Sequence, residues 1–175
     1  KQTYNINKHV CQRKPRVEGK DLFYTPHGID ENKYFPITKF DVDFDKFQKD
    51  SLKHTIDAEF IAFFNSRNIR RKGVSDLIAG FKRFRKQLPK DKQDKVILIL
   101  HTDPVDSNGT DLPAVVKAID PTLHCIFSNK KLPALALNYL YNIADVTCNP
   151  SSAEGFGLSH MESLMSGTPT IATVV

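Results

Sequence analysis

Two glutamates, Glu154 and Glu162, stand on either side of a turn that holds Gly155 and Gly157. From Leu158 onward, apolar residues recur at helical spacing, so the turn is predicted to lead into the N-terminus of a helix. The free N–H groups of a helix N-terminus suit a phosphate. Because carboxylates repel phosphate, we expect the two glutamates to accept hydrogen bonds from nearby hydroxyls instead. A phosphate with hydroxyls on both sides describes a nucleotide sugar.

A second set of candidate functional residues lies in the basic loop of residues 65–73, which joins a predicted strand to a predicted helix. Arg67 lies nearest the strand and Lys72 nearest the helix, so together they could clamp a diphosphate. The alternative is a solvated basic loop. Four basic residues in the six positions before a helix oppose its dipole, which favours an anion site.

The stretches that must position these groups alternate between strand and helix patterns. Ser75 is predicted to cap one of the helices, Pro113 opens another, and a short strand is predicted at 21–25. Apolar strands separated by helices predict an α/β, Rossmann-like parallel sheet with helices on both faces. Ligands bind at the carboxyl ends of the strands in such sheets, where both groups should lie. The main predicted strands are 59–64, 95–100, 123–127, 145–148 and 170–175, and the predicted helices are 43–55, 74–88, 112–119, 133–143 and one from Leu158.

The net charge of +5 is unevenly distributed over the 175 residues. Residues 67–95 hold eleven lysines or arginines against three aspartates, a balance that could attract nucleic acid, an anionic membrane surface or a phosphorylated ligand. Nucleic-acid binding would need exposed aromatic rings beside these charges. Phe81 and Phe84 instead keep the apolar face of a helix, so we expect no nucleic-acid partner. Peripheral association with a membrane stays open.

The ends of the sequence and its cysteines suggest a fragment from a reducing compartment. No apolar run approaches the roughly 20 residues that a membrane helix needs. Three cysteines without metal spacing favour a cytoplasmic protein. The sequence has no initiator methionine and ends within a strand pattern. We therefore expect residues 1–20 to be a linker or the end of a preceding domain, and residues 21–175 to form one nucleotide-sugar-binding domain, truncated before its final helices.

Four segments together resemble the C-terminal, donor-binding domain of a GT-B glycosyltransferase, and most closely glycosyltransferase family 4 (group 1). The resemblance covers about residues 21–175, and the segments follow the order of the family. They are similar to its Pro-Asn-Gly-Val-Asp turn, its Gly-Arg and Lys-Gly segment, its Glu-seven residues-Glu motif and its Gly-Thr-Pro strand. In this sequence they read TPHGIDENKYFP, SRNIRRKG, LYNIADVTCNPSSAEGFGLSHMES and SGTPTIAT.

This resemblance implies a role for each matched residue. Arg67 and Lys72 would hold the diphosphate as it leaves, and Glu154, as the third catalytic residue, would contact the hydroxyls of the donor sugar. Glu162 would accept hydrogen bonds from the ribose. The remaining donor-binding residues would be Gly155, Phe156, Gly157 and Leu158, whose amides face the phosphates and sugar, and Ser128, Asn129 and Lys130, which would lie along the base.

The family also implies the type of reaction. A sugar would pass from a nucleotide diphosphate sugar to a carbohydrate, lipid or protein acceptor, with retention of configuration and with neither a metal nor a further cofactor. The acceptor would bind to an N-terminal domain. We therefore expect the present chain to bind the donor without efficient turnover.

Several features depart from the family pattern or favour other readings. Ser66 replaces a glycine, His27 replaces an asparagine, and residues 101–104 replace a glycine-rich loop.

A non-catalytic nucleotide-sugar sensor and another GT-B enzyme, such as an epimerase or a phosphorylase, remain alternatives. Two overlapping Asp-x-Asp triplets at 41–45 match a metal motif of another glycosyltransferase fold, but helix capping or solvation is favoured for them.

Overall fold

The protein folds around a five-stranded parallel sheet. The computed structural model describes residues 5, 8, 9, 23, 25–38 and 41–173. The strands lie in the order β3-β2-β1-β4-β5, and every pairing is parallel. This order reverses direction at β1, because the chain moves outward to β3 and then returns to the other side of β1. The strands are β1 (Phe60–Asn65), β2 (Val96–His101), β3 (Cys125–Ser128), β4 (Val146–Asn149) and β5 (Thr170–Ala172).

Helices and short turns connect these strands. An α-helix follows each of β1, β2, β3 and β4, as the crossovers of a parallel sheet require. The α-helices of the described residues are α1 (Val42–Ser51), α2 (Val74–Gln87), α3 (Leu112–Ile119), α4 (Ala134–Ile143) and α5 (Leu158–Met165). The short 3₁₀ turns are Lys53–Thr55, Arg70–Lys72 and Gln93–Lys95.

Apolar side chains cover both faces of the sheet, which explains why the central strands are almost wholly apolar. On one face, Phe64, Leu98 and Leu100 pack against Ile78 of α2 and Leu112 of α3. On the other face, Ile61, Phe63, Ile97 and Ile99 pack against Leu52 and against α4 through Leu140 and Tyr141. The fold is therefore the predicted α/β sheet with helices on both faces.

The carboxyl ends of three neighbouring strands meet at one edge of the sheet. Asn65 pairs in register with His101, and His101 pairs with Ser128. The loops that leave these residues, together with the loop after Asn149 of β4, form the edge at which ligands bind in open α/β sheets. The loop of 65–73 and the glycine turn of 154–157 are thus brought to the same edge.

The helix starts differ in part from those predicted. The cap predicted at Ser75 is wrong: α2 begins after Gly73, whose left-handed φ of 61° suits a residue without a Cβ. Asp41 caps α1 by accepting a hydrogen bond from the Phe44 amide at 2.9 Å, so this aspartate of the Asp-x-Asp stretch has the capping role that we favoured. The strand predicted at 21–25 lies largely outside the described residues, as do most of residues 1–20.

Within the described part of the chain, no helix is both long and apolar enough to cross a membrane.

Candidate donor-binding site

Two polar clefts adjoin at the carboxyl edge of the sheet, and both are lined by Asn65 and Ser66 from the end of β1. We name the cleft beside the start of α5 the α5 cleft; its volume is about 430 Å³. We name the other the Arg67 cleft; its volume is about 280 Å³. The α5 cleft is also lined by His27, Lys72, Glu154, Phe156, Gly157, Leu158, Ser159 and Glu162. The Arg67 cleft is also lined by Arg67, His101, Thr102, Asp103, Ser128, Asn129, Lys130 and Lys131.

An ion pair joins the two loops that form the α5 cleft. The Lys72 ammonium donates to Oε1 of Glu154, although these residues lie 82 positions apart in the sequence. Arg71 supports the same carboxylate, since its Nη1 lies 3.6 Å from Oε2 of Glu154 and donates to the carbonyl oxygen of Ala153 at 2.6 Å. The side chain of Lys72 is only 9% exposed, so its charge depends on this carboxylate for compensation.

Polar neighbours also hold the Glu154 carboxylate in position and keep it ionised. The side-chain Nδ2 of Asn149 lies 3.4 Å from Oε1 of Glu154 and 3.3 Å from Oγ of Ser159. The Ser151 hydroxyl donates to Oδ1 of the same asparagine. Burial alone would raise the pKa of Glu154. Hydrogen bonds from Lys72 and Asn149, together with the positive charge of Lys72, outweigh burial and lower this pKa to about 2. Glu154 is therefore an anion over the whole physiological range, able to accept hydrogen bonds but not to act as a general acid.

The glycine turn brings backbone N–H groups to the α5 cleft. Gly157 adopts a φ of 75° and forms the N-cap of α5, a conformation that L side chains rarely adopt. A Cβ at Gly157 would also lie 2.7 Å from Cδ2 of His160. The first N–H groups of a helix have no partner within the helix, so those at the start of α5 can bind an anion.

The second glutamate is held by a buried tyrosine. The Tyr141 hydroxyl donates to Oε2 of Glu162 at 2.7 Å and accepts from the Asn65 amide at 2.8 Å. Burial, followed by the negative charge of Glu162, raises the pKa values of Tyr141 and Tyr34 above the usual range for tyrosine. Tyr141 therefore remains a donor to Oε2 of Glu162, and the Tyr34 hydroxyl also lies near this carboxylate.

Arg67 lies in the Arg67 cleft, where it forms an ion pair with Asp106. Its Nε donates to Oδ2 of Asp106 at 2.8 Å, and its Nη2 donates to Oδ1 at 3.3 Å. The hydrogen bond from Arg67, with a further one from the Asn108 amide, lowers the pKa of Asp106. The predicted pair of Arg67 and Lys72 is thus divided between two adjoining clefts.

The end of β3 contributes to the floor of the Arg67 cleft. Ser128 shares a hydrogen bond with Nδ1 of His101 at 2.9 Å. Burial lowers the pKa of His101, which favours its neutral form. The hydroxyl of Thr102 is buried without a hydrogen-bond partner among the described residues. The Arg67 cleft therefore combines a guanidinium with hydroxyl and amide groups that can accept or donate.

Most predicted site residues line one of the two clefts. Lys72, Glu154 and Glu162 line the α5 cleft with Phe156, Gly157 and Leu158, whereas Arg67 lines the Arg67 cleft with Ser128, Asn129 and Lys130. Gly155 is exposed in the turn beside Glu154. Sequence reasoning missed the residues that support this set, because their contacts depend on the fold. These residues are Asn65, Arg71, Asp106, Tyr141, Asn149 and Ser151.

Several charges of the basic stretch 67–95 are paired with acidic side chains of the protein itself. Arg85 forms ion pairs with Asp94, at 2.6 Å, and with Asp120, at 3.4 Å. Glu59 pairs with both Lys92 and Lys95. Phe81 is buried and Phe84 packs against the same core cluster, as predicted, so these rings do not stand beside the charges. The absence of a nucleic-acid partner stays a prediction.

Within the described ranges, no group of three or more histidine, cysteine, aspartate or glutamate side chains is arranged to hold a metal ion. The absence of a metal from the reaction stays a prediction, because the donor complex itself could supply ligands.

The parallel sheet, with polar clefts at the edge where its strand order reverses, has the fold of the C-terminal domain of GT-B glycosyltransferases. The model of the family described as "Glycosyl transferases group 1" matches residues 46–175, and the chain belongs to this family.

A curated relative and two solved structures agree with this assignment. The alpha-monoglucosyldiacylglycerol synthase of Acholeplasma laidlawii is 30% identical over 115 residues, which are 65% of this chain and 26% of the relative. The chain thus spans about a quarter of the length of that relative.

The two solved structures share the fold at lower identity. The C-terminal domain of the group 1 glycosyl transferase LpcC from Francisella tularensis is 20% identical with a TM-score of 0.63, and the match covers 83% of this chain and 70% of that one. HepE of Anabaena, solved with UDP and glucose, is 19% identical with a TM-score of 0.61, and the match covers 94% of this chain and 41% of that one.

Proposed function

We propose that this chain binds a nucleotide diphosphate sugar and that the protein containing it transfers the sugar to an acceptor. The observation that supports this function most strongly is the convergence of Lys72, Glu154, Glu162 and the start of α5 in one cleft. A cation and free N–H groups suit phosphate, and the two carboxylates suit hydroxyls on either side of it.

Each charged residue has a distinct task in this proposal. Lys72 and Arg67 approach the diphosphate from the two adjoining clefts and balance the negative charge that develops as it leaves. Glu162, whose Oε2 accepts a hydrogen bond from Tyr141, accepts a further hydrogen bond from the ribose. Glu154, held as an anion by Lys72, accepts from hydroxyls of the transferred sugar.

The backbone and the end of β3 complete the proposed site. The amides of residues 155–158 face the phosphates and the sugar. Ser128, Asn129 and Lys130 lie along the base in the Arg67 cleft. This arrangement stabilises the leaving group with fixed donors, so we propose a reaction that needs no metal. Retention of configuration follows from the family resemblance and a cytoplasmic location from the cysteine pattern, and both belong to the proposal.

The relatives suggest which substrates to test first. UDP was observed with HepE, so UDP-sugars are the first donors to try. The name of the Acholeplasma relative refers to a glucosylated diacylglycerol, which makes lipids one acceptor class beside carbohydrates and proteins. We propose that the acceptor binds to a part of the protein outside this chain.

A thermal-shift screen of nucleotides and nucleotide sugars tests donor binding. A ligand at 100 times its dissociation constant stabilises the folded state by roughly 2.7 kcal/mol, enough to raise the melting temperature measurably. Glu162→Ala should weaken the effect of nucleoside diphosphates. The matched control is Glu59→Ala, because Glu59 also forms polar contacts but lies outside both clefts.

Two results would contradict the proposal. One is that no nucleoside diphosphate or nucleotide sugar changes the melting temperature. The other is that Glu162→Ala and Glu59→Ala respond identically to every ligand. Donor hydrolysis or transfer by the full-length protein then separates an enzyme from a non-catalytic nucleotide-sugar sensor, since a sensor would bind the donor without consuming it.

A further inference from the structure

The ion pair between Arg67 and Asp106 joins an exposed side chain to one that the protein largely covers. The side chain of Arg67 is 62% exposed, whereas that of Asp106 is 9% exposed. The contact is bidentate, with Nε and Nη2 of the guanidinium each donating to one carboxylate oxygen. Asp106 therefore determines the orientation of the guanidinium, because a long exposed side chain would otherwise populate many rotamers.

Asp106 is itself held in place by its own loop. Its Oδ1 accepts a hydrogen bond from the Asn108 amide at 2.8 Å, and its carbonyl oxygen accepts from the Gly109 amide at 2.9 Å. The carboxylate is thus the fixed partner in the ion pair, and Arg67 is the partner that it orients.

A buried asparagine ties this loop to the loop that carries Arg67. Asn68, next to Arg67 in the chain, donates to the Thr110 carbonyl at 2.7 Å and accepts from the Thr110 amide at 3.3 Å. Gly109 lies so close that an added Cβ would be 2.1 Å from the carbonyl oxygen of Asn68. The two loops therefore form one packed unit, in which the separation of Arg67 from Asp106 is fixed.

The geometry leaves part of the guanidinium available to a ligand. An arginine has five N–H donors, and Asp106 uses the Nε–H and one N–H of Nη2. Three N–H groups remain, including both on Nη1. They form the end of the planar fork that matches a phosphate in a bidentate contact.

We propose that Asp106 is a positioning residue, which orients Arg67 so that the free end of its guanidinium meets the diphosphate of the donor. This inference rests on the proposed function of the two clefts. Its consequence is that the carboxylate of Asp106 increases the affinity for a nucleoside diphosphate, although its charge has the same sign as the ligand.

Isothermal titration of the chain with UDP tests this inference. Asp106→Asn removes the charge but keeps the size of the side chain, and it should weaken UDP binding about fivefold, the effect of releasing one ordered long side chain. Arg67→Ala should weaken binding by about tenfold or more. In the Arg67→Ala background, the change at Asp106 should have no further effect. UMP should show a smaller dependence on both residues, since it lacks the second phosphate.

Two further variants separate positioning from stability. Asp94→Asn breaks another aspartate–arginine ion pair, the one with Arg85, and should leave UDP affinity unchanged. Gly109→Ala should displace the loop and weaken UDP binding in the same direction as Asp106→Asn. Melting temperatures of the unliganded variants show whether each one folds.

The possible outcomes are distinct. If Asp106→Asn leaves UDP affinity unchanged or increases it, Asp106 competes with the phosphate or has no role, and the inference is wrong. An equal loss in the Arg67→Ala background would assign Asp106 a structural role and also overturn it. If the unaltered chain binds no nucleotide at all, the proposed function fails and this inference fails with it.

Discussion

The ion pair between Lys72 and Glu154 should make the stability of the protein sensitive to acid. The pKa of Glu154 is about 2, against an ordinary value of 4.5. This gap corresponds to at most ~3 kcal/mol of preferential stabilisation of the charged carboxylate in the folded state, because solvent around this partly exposed group screens its charge. Because the pKa is lowered on folding, the contribution is fully present above pH 4.5 and is lost as the pH falls from 4.5 towards 2.

Lys72→Met removes the ammonium and keeps most of the side-chain volume. Burial then acts on Glu154 without its main cation, and only Arg71, 3.6 Å away, still opposes the rise in its pKa. We expect the variant to be less stable than the wild type at neutral pH by about 1–3 kcal/mol. We also expect its stability to fall less steeply on acidification. Urea unfolding between about pH 6 and about pH 3 measures both quantities.

The matched control is Lys95→Met, which breaks an ion pair with Glu59 that is largely solvent-exposed. Exposed ion pairs contribute little to stability, so this variant should follow the pH dependence of the wild type closely. If Lys72→Met and Lys95→Met have the same pH dependence as the wild type, the account of Glu154 as a buried anion held by Lys72 is refuted.

Two other side-chain contacts lead to predictions about nucleotide binding. Tyr141→Phe removes the donor to Glu162, a hydrogen bond to a charged group worth about 1.5–3 kcal/mol, so UDP affinity should fall several-fold in calorimetry. Tyr139→Phe, a buried neighbour on α4, should leave the affinity unchanged. Gly157→Ala should lower the free energy of unfolding by about 1–2 kcal/mol, because alanine is strained at this left-handed φ, and the contact with His160 adds further strain. Both the melting temperature and the UDP affinity should therefore fall. A variant at Gly157 that melts and binds like the wild type would exclude the proposed role of the turn.

The sequence was sufficient to predict the fold because buried parallel strands are continuous apolar runs. The run at 95–100 predicts β2, which the structure has at Val96–His101, and the predicted helix 112–119 coincides with α3. The start of α2 at Val74 was predicted correctly, but its cap was predicted wrongly. Ser75 has the composition of a cap, but the left-handed Gly73 ends the preceding 3₁₀ turn and leaves no such position for the serine.

The candidate site was predictable only where residues were close in sequence or matched a family motif. The glycine turn and Glu162 belong to one continuous motif, so their proximity follows from helical geometry. The pairing of Lys72 with Glu154 and the support of Glu162 by Tyr141 depend on how the crossovers pack. Asp106 lies in a polar loop without periodicity, so nothing in the sequence indicates its contact with Arg67.

The central claim is that the α5 cleft and the Arg67 cleft together bind the nucleotide diphosphate of a sugar donor. An amide NMR titration of the ¹⁵N-labelled chain with UDP tests this claim most directly. We predict saturable shifts of the amides of residues 155–158 and of Arg67 and Lys72, with smaller shifts in the Glu162→Ala variant. Absence of shifts at these residues, or shifts confined to the basic residues of α2 (Lys82, Arg83, Arg85 and Lys86), would contradict the account.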